Sequence, residues 1–255
     1  MFSQATPVVR NLLIVNGIFY LVTHVLFTDL AGVLAGYYPS SPQFQPWQVI
    51  THMFMHAGLG HLFFNMFALF MFGSQLERVW GPKRFLNYYL ACGLGAFFLH
   101  EVVVGYGFYS DFGTWFPRIG ELYPNLGYSA RLAQSLKMFV PVVGASGAVY
   151  GLLLGFGMLF PNTRLDVGFF AIYVVVNFLF GAVSLGILFL IYFLLPRERF
   201  SIPLKAKYVV VACGLYELFS GFGLEDQIAH FAHLGGMIFG YILLKKWQND
   251  REVFY

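Results

Sequence analysis

The tetrapeptide Gly144-Ala145-Ser146-Gly147 follows Pro141 closely and opens an apolar run. A serine at a helix N-terminus sits among backbone N–H groups with no intrahelical partner, at the positive end of the helix dipole. A developing oxyanion needs these features, so the motif suits a nucleophilic serine. A serine in that place also serves as a plain N-cap.

A serine nucleophile needs a base. His233 is followed by Gly236 and Gly240 at i+3 and i+7, and Gly147, Gly151 and Gly155 recur every four residues after Ser146. Small residues at such spacing let two membrane helices approach closely, as a serine–histidine hydrogen bond between helices requires. His230, one turn earlier, is the competing base, but the glycine face is in register with His233. A third cluster is His52, His56, His61 and Asn65. His61 and Asn65 share a helix face, and a neutral imidazole and an amide can both donate to an oxyanion. His52 and His56 also have i,i+4 spacing, as metal ligands often do. The glutamate of H-E-x-x-H is missing, however, and no acidic residue lies between Leu30 and Leu76. Neither a metal nor a cofactor is expected.

The elements that position these groups follow from composition. Of 255 residues, 58% are hydrophobic and 11% charged, against roughly a quarter charged in soluble domains. Asn11 to Thr28, Leu30 to Leu76, Phe85 to His100, Met138 to Thr163, Val167 to Leu195 and Ile228 to Leu244 all lack charged residues. A membrane-crossing helix needs about 20 mostly apolar residues, and several of these stretches supply them. The pattern excludes an ordinary soluble domain and predicts an all-α, polytopic transmembrane bundle. The first run, preceded by Arg10, has no small-residue cleavage site after it and is expected to be a retained span. Cys92 and Cys213 lie in separate apolar segments and form no disulfide framework. The paired broken helices or internal repeats of a transporter are absent from the sequence.

Basic residues collect on the cytoplasmic side of membrane proteins. All of the 15 except Arg118, Arg131 and Lys137 fall on one face if span one covers Leu12 to Phe27, span two Leu59 to Val79, span three Phe85 to Val102 and span four Ser146 to Phe160. The last two helices then precede Lys245, and both termini are cytoplasmic. Val167 to Leu195 is too short for two full spans, which need ~40 residues. It is expected to form an apolar hairpin or interfacial pair turning near Gly181 to Gly186; a seventh span is the alternative. Ser146 to Pro161 rises about 22 Å, short of the roughly 30 Å of hydrocarbon, so Ser146 lies below the outer surface. His233, 12 residues before Lys245, stands about 18 Å above the inner boundary and so at a similar depth. Glu217, about 15 Å above Lys207, either lines a water path or snorkels at the outer interface.

Together these motifs resemble the rhomboid intramembrane serine proteases. His52 to His56 followed by Gly60-His61-Leu-Phe-Phe-Asn65 is similar to that family's second-helix signature. Gly73, Glu77, Gly81 and Phe85 look like that helix's end and the turn into the third. Gly144 to Gly147 with Tyr150 is similar to the nucleophile motif, and Ala232-His233 with Gly236 and Gly240 to the sixth-helix motif. The resemblance runs from about Trp47 to Leu244. It implies a six-span bundle, with span one and an outer loop at 1–46 and the rhomboid core, spans two to six, at 47–250, the apolar insertion at 167–195 lying between spans four and five. It implies a Ser146–His233 dyad with no acidic third member, and an oxyanion hole of His61, Asn65 and the Ser146 N–H. Tyr150 would pack on the histidine ring, and His52, His56 and Gly144 would support the site.

The implied function is an intramembrane endopeptidase acting on single-span membrane proteins within lipid; the alternative is a non-catalytic relative that binds or routes membrane proteins. We expect a multi-pass protein of a bacterial inner (plasma) membrane, with no nucleic-acid partner and no particular oligomer indicated. The outer loop from Glu101 to Met138, with Trp115, Pro117 and Pro124, departs from the pattern by its length. It either contributes to substrate access or is a lid-like insertion.

Overall fold

The computed structural model describes residues 5–117, 140–168, 201–223 and 229–249. Eight α-helices are described: α1 (Pro7–Leu21), α2 (Leu30–Leu34), α3 (Gln48–Thr51), α4 (Leu59–Ala68), α5 (Ser74–Phe112), α6 (Ser146–Leu159), α7 (Ala206–Gly223) and α8 (His230–Asn249). Helices α1 and α4 each end in a π-helical turn, Val22–Leu26 and Leu69–Gly73, and the latter leads straight into α5. Among the described residues, two helical stretches are long and apolar enough to cross a bilayer, Pro7–Leu26 and Leu59–Phe112. Helix α6 is apolar but shorter.

The second of those stretches is broken. Gly81 has φ 76° within α5 and is followed by Pro82. Proline disfavours a helical conformation in the residue before it, and glycine accepts the left-handed one at little cost. Beyond the break the helix runs to Phe112, ten residues further than the Val102 expected from hydropathy. Glu101 and Asp111 end the apolar run but not the helix, since backbone hydrogen bonding needs no lipid. The start of the long loop expected from Glu101 to Met138 is therefore helical. Trp115 beyond it accepts a hydrogen bond from the Tyr38 hydroxyl at its carbonyl (2.6 Å). The rest of that loop, including Pro124, lies outside the described residues.

Helix α1 is tied to α5 by a buried carboxylate. Glu77 accepts from the Thr6 hydroxyl (2.5 Å) and from the backbone N–H groups of Val8 (3.0 Å) and Val9 (2.9 Å). First-turn N–H groups lack intrahelical partners, and here an anion from a distant helix supplies them. Glu77→Ala should therefore lower stability by about 1–3 kcal/mol, the cost of stranding buried donors; a thermal melt in detergent checks this.

The stretch from Val33 to Gln48 is organised by Gln48, which is fully buried. Its amide donates to the carbonyls of Val33 (3.1 Å) and Gln43 (2.9 Å) and accepts from the N–H groups of Tyr37 (3.3 Å) and Gln45 (3.1 Å). All four hydrogen-bonding positions of the amide are thus filled.

The described residues pack as two units. One holds the chain up to Gly155 and from Tyr216 onward; the other is Phe156–Leu215. The second contains two short antiparallel strands, β1 (Arg164–Asp166) and β2 (Pro203–Lys205), paired Arg164 to Lys205 and Asp166 to Pro203. The clasp extends both ways, through Val167 N–H to the Ile202 carbonyl (3.0 Å) and Ala206 N–H to the Thr163 carbonyl (2.8 Å). The apolar hairpin expected at 167–195 lies almost wholly outside the described residues; the described chain on either side of it is held together at Val167 and Ile202.

Candidate active site

Ser146 is the first residue of α6. The segment leading to it is pinned to the stretch from Gly36 to His52 at two points. Gly36 and Val142 exchange both backbone hydrogen bonds (2.9 and 2.7 Å), and the Gly144 N–H donates to the His52 carbonyl at 2.9 Å. Gly144 itself has φ 126°, a conformation that L side chains rarely adopt. A Cβ there would stand 2.8 Å from His61 Cε1, 3.0 Å from His61 Nε2 and 3.4 Å from Ser146 Oγ. The missing side chain leaves a space bordered by the imidazole of His61 and the hydroxyl of Ser146.

His233 lies in the first turn of α8, and its Nε2 is 2.9 Å from Ser146 Oγ. The glycines explain how two helices come so near. A Cβ on Gly236 would stand 1.8 Å from the Gly147 carbonyl oxygen, and one on Gly147 only 2.3 Å from Ala96 Cβ. One on Gly151 would meet Cys92 Sγ at 2.4 Å and the Gly236 carbonyl at 3.0 Å. Gly155 and Gly240 do not serve this contact. They make room for Tyr88 of α5, whose hydroxyl would stand 3.1 and 2.5 Å from the respective Cβ positions. The glycine rows thus pack three helices together: α6 and α8 meet at Gly147, Gly151 and Gly236, and α5 fills the rest.

Tyr150, one turn after Ser146, stacks on His233 with ring centroids 4.3 Å apart and planes within 5°. Its hydroxyl donates to Oε1 of Glu217 on α7. Glu217 is 1% exposed, so it neither snorkels nor faces open water. Oε2 is hydrogen-bonded to His230 Nδ1 at 2.5 Å. Oε1 lies 3.0 Å from His233 Nδ1, without the alignment of a formal hydrogen bond. The resemblance implies a serine–histidine pair with no acidic partner. Here the far side of the histidine meets a buried carboxylate, because α7 turns Glu217 inward at the level of the first turn of α8.

Glu217, His230 and His233 gather donor atoms within 4.8 Å, a grouping that could hold a metal ion. Ligands at 2.0–2.1 Å around a tetrahedral zinc are about 3.3 Å from one another. The 2.5 Å between His230 and Glu217 is instead the distance of a direct hydrogen bond.

The imidazole of His61 accepts at Nδ1 from the Ala57 N–H (3.3 Å). In a neutral ring this places the proton on Nε2, the nitrogen that borders the Gly144 space beside Ser146. Asn65 is one turn on and buried; its amide donates to the His61 carbonyl at 2.9 Å and carries a second N–H. His56 is buried with its ring 5.1 Å from that of His61. His52 is buried too, bonded at Nδ1 to the Gln48 carbonyl (2.9 Å) and packed on Phe97. It meets the segment leading to Ser146 through its backbone rather than its ring.

Ser146, His233, Tyr150, Gly144 and His61 are therefore in one place, with His52, His56 and Asn65 in the layer around them. Glu217 was not assigned to this cluster by sequence reasoning. The available signal was its position, a lone acid in an apolar helix close in sequence to His230.

Chemically, the arrangement is a hydroxyl paired with an imidazole at a junction of apolar helices, with an N–H donor facing the same space. The Rhomboid domain model matches residues 43–246, and the chain belongs to the rhomboid family of integral membrane proteins. It is similar to Rhomboid-like protease 1 of Toxoplasma gondii, 35% identical over 114 residues covering 38% of this chain and 39% of that protein. Rhomboid protease GluP of Bacillus subtilis is 33% identical over 117 residues, 46% of this chain and 22% of that one. Putative rhomboid protease YdcA of Bacillus subtilis is 34% identical over 99 residues, 36% and 48%. The chain spans less than half the length of each of these relatives.

Proposed function

We propose that the protein is an intramembrane serine endopeptidase that cleaves the transmembrane segments of single-span membrane proteins. The observation that carries this reading is the 2.9 Å approach of His233 Nε2 to Ser146 Oγ across two helices. His233 takes the hydroxyl proton as Oγ attacks the scissile carbonyl. The resulting oxyanion sits in the Gly144 space, stabilised by His61 Nε2–H, the Asn65 amide and the backbone N–H at the head of α6. The imidazolium then protonates the departing amine, and water, deprotonated by the same ring, releases the acyl group from Ser146.

The proposal includes a six-span core with both termini in the cytoplasm of a bacterial inner membrane. The β1–β2 clasp supports an even number of crossings by the insertion between its strands. Paired residues in adjacent strands are about 5 Å apart, whereas a single crossing would separate its ends by about 30 Å.

Cleavage of a single-span substrate in detergent, followed by gel and by covalent labelling with a fluorophosphonate, tests the reading. Wild-type turnover and labelling at Ser146 support it. Their absence favours a non-catalytic relative that binds or routes membrane proteins. Asn65→Ala should leave a slow enzyme, with kcat down about 10²–10³-fold as for loss of one oxyanion donor. A kcat equal to wild type would remove Asn65 from the oxyanion hole.

A further inference from the structure

We infer that Glu217 is a positioning residue for His233, a third member of the catalytic relay that makes this site a serine–histidine–glutamate chain. The inference rests on the proposed serine chemistry and concerns what lies behind the base. A histidine that accepts a proton at Nε2 must hold its other proton on Nδ1 and must be stabilised as it becomes an imidazolium. Glu217 is placed for both tasks. Its Oε1 stands 3.0 Å from His233 Nδ1, on the side opposite the 2.9 Å contact from Nε2 to Ser146.

The carboxylate is also held against rotation. Tyr150 donates to Oε1 and His230 bonds Oε2, so each oxygen has its own anchor. Tyr150 in turn lies flat on His233, so one side chain fixes both the plane of the ring and the carboxylate behind it. The Nδ1 contact is not aligned as a hydrogen bond in the resting site; catalytic contacts often tighten only as charge develops. When the Ser146 proton reaches Nε2, the new positive charge faces a buried anion in surroundings that screen it poorly. No proton passes to Glu217; it stays ionised while the proton goes from Oγ to His233 and on to the leaving amine.

A purely structural role is the competing account, in which Glu217 only ties α7 to α8 through His230. The two differ in what they do to titration of the base. Among the described residues, the other titratable groups around His233 are Tyr150 on α6, His230 on its own helix and His61 on α4, and none of these is a carboxylate.

The experiment uses the full chain in detergent with a single-span substrate, comparing wild type, Ser146→Ala, Glu217→Gln and Glu217→Asp across pH. If Glu217 positions the base, E217Q lowers kcat at least about tenfold while KM changes less than about threefold. The acid limb of kcat/KM also moves to lower pH, because the imidazolium has lost its neighbouring anion. E217D keeps the acid limb near that of wild type and recovers part of the rate. An acid limb that stays put in E217Q, or a wild-type kcat, overturns the inference. Should E217Q fail to fold, E217D decides: lowered kcat with an unmoved acid limb supports the inference, and wild-type kcat overturns it. If wild type itself shows no Ser146-dependent turnover, the endopeptidase reading falls and this one with it.

Discussion

Ser146→Ala should abolish cleavage, with a loss of at least about a thousandfold that leaves the fold untouched. Only Oγ is removed, and among the described residues it is hydrogen-bonded to His233. No backbone group of α6 is stranded, so the melting temperature should stay within a degree or two of wild type. His233→Ala should fall equally far, since proton transfer from Oγ and attack by Oγ are one event. The double variant makes the sharper test. Groups that act as a unit lose their contribution once, so removing both should cost no more than removing either. A double variant slower than each single one by the product of their effects would mean that the two residues act independently. Full activity in Ser146→Ala would refute the nucleophile assignment outright.

Gly236→Ala should be nearly as damaging, although it lies away from the reacting atoms. Its Cβ would be placed 1.8 Å from the Gly147 carbonyl oxygen, which is main chain and cannot swing aside. Helices α6 and α8 would have to part by an ångström or more, carrying Ser146 and His233 with them. Misplacement of that size can cost about 10²-fold in rate, and the variant should show at least that. The sign on stability discriminates as well. Glycine to alanine inside an exposed helix stabilises by about 1 kcal/mol, whereas here the close packing should reverse it and lower the melting temperature. An active and more stable Gly236→Ala would show that the helices do not meet at this point.

The pairing of Ser146 with His233 was legible because rise along a helix is regular and small residues mark close approaches. The register of the glycines at Gly147 and Gly236 could be read without coordinates. Rotation about the helix axis could not, and it accounts for most of what was missed. Glu217 was placed at a height but not on a side, so inward burial against His230 and His233 was one outcome among several. Likewise Gly155 and Gly240 extend the rows that face across at Gly147 and Gly236, yet in space they turn toward Tyr88. Gln48 gave no signal at all, since a glutamine in a loop reads as solvated unless its four partners are known. The long reach of α5 was hidden because hydropathy reports where lipid is tolerated and not where a helix stops. The β1–β2 clasp was equally hidden; three residues on each side are too few for an alternating pattern to emerge.

That clasp has a bearing on how the chain assembles. With Thr163 and Ala206 joined at its base and Val167 and Ile202 at its tip, the path from α6 to α7 is shortened to a hairpin's width, whatever the length of the apolar segment beyond. Closing a longer loop costs only about 0.6 kcal/mol for each doubling of its length. The intervening segment can therefore be lengthened, trimmed or replaced by a tight turn at modest entropic expense, and the helices bearing Ser146 and Glu217 remain near neighbours along the folding chain.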